Sequence, residues 1–429
     1  ILVVLINIKK RINSIFNKMK NKFFNTILTC RVCENSTLET IFDTTYLSLA
    51  SPNTGIEPSE ENNIKDNKVP LTFSFCNNCI NIQINETVDP NILYKNFKYV
   101  SAITHGLVDH FKEFSAECFK VNNLSNKDLI LDIGSNDGSL LKPFKSLGCK
   151  VLGVEPAIEL ANKMTDLGID TIGKFFNHSL AKEIKKKYGI PKIITCNNTI
   201  ANIDNLNDFC LGIKELTGDD TSIYIETQYG MDVLQKNLID TIYHEHLNYF
   251  TIKSISHLFA KFGLYVTSHT LLTNKGGSIR IKLNNYKSKS KEEYIPIETI
   301  ENISDFISQN RSVNERCRIE INELVDFAKS NKKSIYLFGS SVSCVSLATQ
   351  INFNLVDIKC ILDENPLASK CIINETILNI HKLKEIDLDK DSIVLNLAYR
   401  YSDIIYSKNI NKFSKIKFIN IFPKIQNIN

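Results

Sequence analysis

Two groups of residues in this sequence have the types and spacing for chemistry. The stretch DTIYHEHLNYF, Asp240 to Phe250, sets Tyr243, His244, Glu245 and His246 side by side, gathering two of the eight histidines around one acid. Cys30-Arg-Val-Cys33 and Cys76-Asn-Asn-Cys79 are two CxxC units with 42 residues between them. The cysteines are the better metal site, because two CxxC turns can supply four thiolates to a tetrahedral zinc. With four cysteine ligands such a site is closed and structural, and a small domain with little core is held together by the metal. HEH lacks the HExxH spacing that puts two imidazoles on one helix face. The tetrad suits acid/base work instead, since imidazole titrates near neutral pH and a neighbouring carboxylate can fix its tautomer. In a helix Tyr243 and His246 share a face; in a strand Tyr243 pairs with Glu245 and His244 with His246. At most half of the tetrad therefore faces one ligand, and structural hydrogen bonding is the plainer reading of His244.

A second constellation lies in LDIGSNDGSLL. A strand ends at Asp132, and Gly134 and Gly138 bracket a tight turn into a helix, with Asn136 and Asp137 between them. Glycines there let the backbone approach a ligand, and a helix N-terminus presents free N–H groups. The spacing is not GxGxxG, which argues against a dinucleotide. Glu155 ends the next strand, 23 residues after Asp132, where a carboxylate can accept from both ribose hydroxyls of an adenosyl group. Acid, glycine turn and acid suit S-adenosylmethionine, whose sulfonium is cationic. Asn198, closing the fourth strand, can reach the same space. The plainer alternative for Asp132 is a helix-capping carboxylate.

These residues need a frame. From about Val88 to Val121 the pattern reads as helical and aromatic-rich, and it carries His105 and His110. Strands then alternate with helices: DLILDIGS, KVLGVEP, IDTIG, PKIITCNN and SIYIETQ are separated by helical segments, and LYVTSHTLL with SIRIKLNN reads as a closing pair. Alternation of this kind predicts a parallel, doubly wound sheet. Tyr-His-Glu-His follows the fifth strand, at the carboxyl edge where open α/β sheets bind ligands; Glu226 ends that strand. A charged helical linker, roughly 289–330, leads to a second α/β unit. The polar, turn-rich SPNTGIEPSEENNIKDNKVP between the CxxC units reads as a surface loop.

At 429 residues two or three domains are expected, and 43% hydrophobic with 23% charged residues is a soluble globular composition. The formal charge of +4 falls to −2 once Lys9, Lys10, Arg11, Lys18, Lys20 and Lys22 are set aside, so the body has no basic footprint for nucleic acid. The opening ILVVLINI is too short to span a bilayer and precedes its basic segment, the reverse of a signal peptide. Met19 is a candidate start, and a cytoplasmic location without a membrane partner is expected. Eight cysteines (118, 149, 196, 210, 317, 344, 360 and 371) stand singly among apolar residues and read as buried hydrophobes.

In order along the chain, CRVC, CNNCINIQI, LDIGSNDGSLL, GVEP, DTIYHEHLNYF, GGSIRI and ILDENP resemble the zinc-containing, S-adenosylmethionine-dependent sugar C-methyltransferases that act on nucleotide-linked keto-deoxysugars. The resemblance runs from about Cys30 to Ile405. It implies an α/β protein of three parts: a small N-terminal zinc-binding domain (30–87) after a basic tail (1–29), a class I methyltransferase with a Rossmann-like doubly wound sheet (88–288), and a C-terminal Rossmann-like α/β domain (289–429). It implies Cys30, Cys33, Cys76 and Cys79 as zinc ligands, and Asp132, Gly134, Asn136, Asp137, Gly138, Glu155 and Asn198 around S-adenosylmethionine. It also implies Tyr99, in an aromatic-rich lid, with His244 and Asn202 against a nucleotide-sugar substrate.

The implied chemistry removes a proton from the carbon next to a ketone and transfers a methyl group to that carbon. His246 is the expected base, with Glu245 orienting it and Tyr243 contacting the sugar or its enolate oxygen. The chain departs from the family where Asn202 and Lys275 stand in place of histidines, and where GSSVSCVS and INET replace a glycine-rich turn and a PGT element. Transfer to a sugar O or N, or a catalytically inactive zinc-containing binding protein on the same scaffold, are the alternative readings. Oligomeric state is left open, a monomer included.

Overall fold

A computed structural model describes residues 23–49, 68–94, 97–285 and 298–428. The apolar opening run, the basic segment, most of the polar loop and the first part of the linker lie outside the described residues.

The N-terminal domain is built on short antiparallel strands. β1 (Phe24–Thr26) pairs with β5 (Glu86–Val88), so residues within the stretch read as a tail form part of this domain. β2 (Leu38–Ser48), β3 (Lys68–Cys76) and β4 (Ile82–Ile84) form a meander whose two CxxC turns lie at one end. Period-two alternation in β3 buries Leu71, Phe73 and Phe75 on one face.

The middle domain starts with α1 (Pro90–Tyr94) and α2 (Leu107–Val121). Between them residues 97–106 are not helical as expected, apart from one 3-10 turn at Ser101–Ile103. Gly106 enters α2 with φ 74°, and the amides of Ser101 and Ala102 are taken by the side chains of Asn136 and Asp137. There follow β6 (Leu129–Ile133), α3 (Leu141–Ser146), β7 (Lys150–Val154), α4 (Ile158–Asp166), β8 (Thr171–Ile172), α5 (His178–Tyr188), β9 (Ile193–Asn197), α6 (Leu206–Glu215) and β10 (Ser222–Gln228). These five strands are parallel, and all seven residues of β10 are buried, as a strand covered on both faces requires.

After β10 come α7 (Gly230–Gln235), a 3-10 turn at Ile239–Thr241, β11 (Asn248–Tyr249) and α8 (Ile252–Ala260). The hairpin β12 (Tyr265–Leu272) and β13 (Ser278–Asn284) closes the sheet antiparallel to β10, in the order β12-β13-β10-β9-β6-β7-β8. β11 does not join this sheet. It pairs with β4, so the N-terminal sheet runs β11-β4-β3-β2.

The 31-residue helix α9 (Ile300–Ser330) leads into the third domain. β14 (Ile335–Phe338), α10 (Val342–Ile351), β15 (Ile358–Asp363), β16 (Lys370–Ile373), β17 (Thr376–Lys382), β18 (Ile393–Asn396), α11 (Ser402–Lys408), α12 (Ile410–Phe413), β19 (Lys417–Asn420) and β20 (Gln426–Asn427) give a sheet ordered β16-β17-β15-β14-β18-β19-β20. The β16–β17 hairpin is not evident in the sequence. Its two-residue turn puts Asn374 and Glu375 at φ 45° and 72°, and Asn-Glu lacks the glycine that usually marks such a turn.

Candidate active site at the carboxyl edge of the middle sheet

Asp132 and Glu155 end neighbouring parallel strands, and both are buried. Asp132 does not cap a helix: its Oδ1 accepts from the Thr195 hydroxyl at 2.7 Å. Burial pushes its carboxyl up to about 7 against that hydrogen bond, and the Glu155 charge adds to the rise. Burial also raises Glu155, although it accepts from the backbone N–H groups of Asn136 (3.0 Å) and Ala157 (2.9 Å). Neither carboxylate has an ion-pair partner among the described residues. Two buried acids, both raised by burial and one also by the other's charge, are suited to a cationic ligand.

The same edge holds polar atoms without partners. Ser135 Oγ, both side-chain atoms of Asn197, Asn202 Oδ1, Thr227 Oγ1, Gln228 Nε2 and Asn274 Oδ1 are buried and make no hydrogen bond within the described chain. Each unmade buried bond costs about 1–3 kcal/mol, so their concentration at the ends of β6, β9 and β10 fits a ligand with many polar atoms. A concavity of about 910 Å³ at the opposite, amino end of the sheet, lined by Lys127, Lys150, Lys192 and Asp220, contains none of the candidate residues.

The glycines do something different from what their spacing suggests. Gly134 has φ 77°, and a Cβ there would lie 2.0 Å from Thr199 Oγ1; at Gly138, φ 69°, it would meet Ile169 and Met164. Both glycines admit neighbouring side chains of the protein itself. Asn136 and Asp137 likewise spend their side chains on the chain: Asn136 Oδ1 accepts from Ser101 N (2.9 Å), Asn136 Nδ2 donates to the Tyr99 carbonyl (3.1 Å), and Asp137 Oδ2 accepts from Ala102 N (3.0 Å). They fasten the 99–102 segment over the turn. Tyr99 extends an aromatic run with Phe97 and Tyr94, and its ring lies 5.8 Å from Lys275 Nζ. Asn198, at φ 54°, donates its backbone N–H to the Glu226 carbonyl.

The Tyr243–His246 tetrad is neither helix nor strand. It is a turn closed by His246 N donating to the Tyr243 carbonyl at 2.9 Å. His246 Nδ1 lies 3.0 Å from the Thr241 carbonyl and must donate to it, which leaves Nε2 as the acceptor, 3.3 Å from the Tyr243 hydroxyl. The backbone carbonyl of Thr241, not Glu245, thus fixes the tautomer, because both ring nitrogens are already engaged elsewhere. Burial pushes His246 down to about 4 against the Thr241 bond, with Lys275 adding to the fall, so the ring is neutral at pH 7. Burial first, and the charge of Glu245 second, hold the Tyr243 and Tyr94 phenols well above their ordinary value. His244 points elsewhere: its Nε2 donates to the Pro70 carbonyl on β3 at 2.7 Å. It is therefore turned toward the N-terminal sheet and away from a substrate position. Asn202 lies beside Tyr94, whose hydroxyl donates to the Glu245 carbonyl at 3.0 Å.

All three domains hold this turn. Leu247 N donates to the Ala201 carbonyl beyond β9 (2.7 Å), and Ile84 N on β4 donates to the Leu247 carbonyl (3.0 Å). From α10, Ser346 Oγ donates to the Ile242 carbonyl (2.6 Å), while Ser343 lies against the Tyr243 hydroxyl. Asp240 is buried between Arg400 (2.5 Å) and the Tyr399 hydroxyl (3.0 Å) of the third domain, and Arg400 also donates to the Lys275 carbonyl (2.6 Å). Glu226 is not a free acid: His110 (2.9 Å), Arg280 (2.7 Å) and Asn274 (2.8 Å) surround it, and they outweigh burial to lower it. His105 is exposed.

Tyr94, Asn197, Thr227, Gln228 and Arg400 belong to this region without having been singled out in the sequence. The doubled asparagine of CNNT is a signal for Asn197. The others carry none, since their positions depend on packing between domains.

At the far end of the N-terminal sheet the sulfurs of Cys30, Cys33, Cys76 and Cys79 all lie within 4.8 Å of one another. Cys30–Cys79 and Cys33–Cys76 are each 3.5 Å apart. Zinc–sulfur bonds of about 2.3 Å in a tetrahedron put sulfurs about 3.8 Å apart. The two turns have matching form, with Glu34 and Ile80, each directly after its second cysteine, at φ 61° and 59°. Donor set and spacing fit a zinc ion.

Residues 99–269 match the family model described as a methyltransferase domain, and residues 273–423 match that of a C-methyltransferase C-terminal domain. The C-methyltransferase NovU of Streptomyces niveus is 26% identical over 285 residues, covering 63% of this chain and 66% of that protein. An S-adenosylmethionine-dependent methyltransferase of Clostridium acetobutylicum ATCC 824 overlays 43% of this chain and 93% of its own, at 12% identity and a TM-score of 0.33. Magnesium protoporphyrin IX methyltransferase of Synechocystis PCC 6803, solved with bound SAM, overlays 41% and 78% at 12% identity and a TM-score of 0.31. By its family match and its parallel sheet closed by an antiparallel hairpin, the middle domain is a methyltransferase domain. The third domain is similar to the C-terminal domain of C-methyltransferases, and the chain spans just under two thirds of NovU's length.

Proposed function

We propose that this chain methylates a carbon next to a ketone on a nucleotide-linked keto-deoxysugar, using S-adenosylmethionine, and that its four clustered cysteines hold a structural zinc. The observation that carries the reading is the state of His246. Its Nδ1 is committed to a backbone carbonyl and its Nε2 lone pair faces a phenol, at the sheet edge that also holds the carboxylate pair. Bound S-adenosylmethionine supplies an electrophilic methyl group. Asp132, Glu155 and the unpaired amides around them bind and orient that cation.

His246 Nε2 takes the proton from carbon, and the Thr241 carbonyl accepts a stronger hydrogen bond as the ring becomes positive. The Tyr243 phenol, held protonated by burial and by Glu245, donates to the ketone oxygen as it gains charge. Lys275, close enough to lower His246, adds positive charge on the same side. The 97–104 segment and the third domain exclude water from this step. The resemblance to sugar C-methyltransferases supports the substrate class, and the likeness to NovU supports transfer to carbon.

The test is solvent-deuterium exchange into a nucleotide 4-keto-6-deoxysugar, followed by transfer from labelled donor. Exchange that depends on His246 is expected. Methyl transfer without exchange would instead assign an O or N acceptor, and absence of S-adenosylmethionine binding by the wild type would remove the enzymatic reading.

A further inference from the structure

The cysteine cluster and the acid/base turn are two ends of one piece of sheet. β4 begins three residues after Cys79, and its other edge is occupied by β11, which begins two residues after His246. In that pairing Gln83 stands opposite Asn248 and Ile82 opposite Tyr249. Gln83 Oε1 also accepts from the backbone N–H of Arg31, inside the first CxxC turn, at 2.9 Å. Asn81 Nδ2 donates to Asn248 Oδ1 at 3.2 Å while the Asn81 carbonyl accepts from Cys76 N at 2.8 Å.

Arg31 makes the second link. Its guanidinium is buried between the domains, with Nε on Asp204 (2.8 Å), Nη2 on Thr87 Oγ1 (2.7 Å) and Nη1 on the Ile84 carbonyl. Asp204 follows the 3-10 turn Ile200–Asn202, whose Ala201 carbonyl accepts from Leu247 N. One residue between two metal ligands therefore touches both supports of the turn: β4 on one side and the 200–204 segment on the other.

We propose that Arg31 and the metal-bound CxxC turns are positioning elements for the Tyr243–His246 acid/base turn, acting through β4 and Asp204. Removing the metal or the Arg31 bonds frees β11 from its register and lets His246 swing from the substrate, while the methyl-donor pocket at β6 and β7 keeps its shape. The inference rests on the acid/base reading of His246 and on metal at the cysteines.

The experiment compares full-length wild type, wild type treated with a zinc chelator, Arg31→Gln and Asp204→Asn, which breaks the same ion pair from its exposed side. Metal content, S-adenosylmethionine affinity by calorimetry, and amide hydrogen exchange by mass spectrometry are measured together. Arg31→Gln and Asp204→Asn are expected to keep one zinc per chain and to bind S-adenosylmethionine within about threefold of wild type. Exchange at 82–84 and 246–249 should quicken by at least about tenfold, with 129–138 and 150–157 unchanged. Chelation should produce the same local pattern, and Arg31→Lys should restore part of the protection. In turnover with the keto-sugar nucleotide, kcat should fall while KM for S-adenosylmethionine stays level.

Unchanged exchange at 246–249 after metal loss or in both variants overturns the proposal. So does a loss of protection spread equally over 129–157, which makes the cluster a general support of the fold. So does a folded wild type that holds no metal. If the wild type binds no S-adenosylmethionine, the proposed function fails, yet local exchange still reads the coupling by itself.

Discussion

The His246 imidazole lies against the Tyr243 phenol, ring centroids 4.3 Å apart, with Nε2 3.3 Å from the hydroxyl and Nδ1 locked onto the Thr241 carbonyl. The pair is built as one unit: the turn that closes between the two residues sets their rings against each other at a tilt of 34°, and the Thr241 carbonyl sets the tautomer. His246→Gln is expected to lower methyl transfer by about 10²–10⁴-fold and leave S-adenosylmethionine affinity within a few-fold. Tyr243→Phe should lose less, because the base remains. Single-turnover transfer of labelled methyl, paired with calorimetry, separates the two effects.

Asp132 gives donor binding a pH dependence. Its carboxyl, raised to about 7 mainly by burial, is charged above that pH and neutral below it. A cation favours the charged form, so affinity should fall as pH drops through 7 and binding near pH 6.5 should release a proton. Calorimetry in buffers of different ionisation enthalpy reads that proton, and Asp132→Asn should abolish the buffer dependence.

Gly134 and Thr199 test the packing of the turn. Gly134→Ala puts a methyl group onto the Thr199 hydroxyl and keeps φ 77° for a residue that disfavours it. Overpacking and backbone strain together should cost about 2–4 kcal/mol. Gly134→Ala with Thr199→Ala should recover the steric part and leave about 1 kcal/mol. Urea unfolding of wild type and these two variants gives the comparison.

His244 carries an acid-stability signature. Burial pushes its folded-state value down to about 4, below the 6.5 of the free side chain, against the pull of the Pro70 carbonyl. Between those values the unfolded state takes the proton and the folded state does not. Stability is therefore lost as pH falls from about 6.5 toward 4, at up to about 1.4 kcal/mol per pH unit for this group. His244→Gln should flatten that part of the curve relative to wild type, with other groups cancelling in the difference.

Cysteine replacement tests the metal. Cys76→Ser removes one of four mutually adjacent sulfurs, and elemental analysis should show zinc falling from one per chain toward none. Zinc retained at full occupancy in Cys76→Ser would rule out this ligand set.

Much of the middle domain was legible because each of its parts depends on neighbours in sequence. Buried parallel strands are runs of apolar residues such as LILDI and SIYIETQ, and the helices between them announce themselves by period and polarity. The Asp132 and Glu155 positions follow from strand ends. Within the stretch from Val88 to Val121 two helices form as expected, but the part around 97–106 departs, because Asn136 and Asp137, some 35 residues away, supply the bonds that hold Ser101 and Ala102. The β16–β17 hairpin was hidden by a turn made without glycine.

The sequence by itself determined which groups exist and their coarse places: four thiols in two short turns, two acids at strand ends, and an imidazole and a phenol three residues apart. Short-range geometry is enough for each of those, since a CxxC turn or a strand end is set by a few local dihedrals. Only the tertiary structure decided what the groups do to one another. Pairing of β11 with β4 turned His244 toward Pro70 and His246 toward Tyr243, and burial set their proton affinities. Those outcomes rest on desolvation and on hydrogen bonds between residues as far apart as 174 positions in the chain.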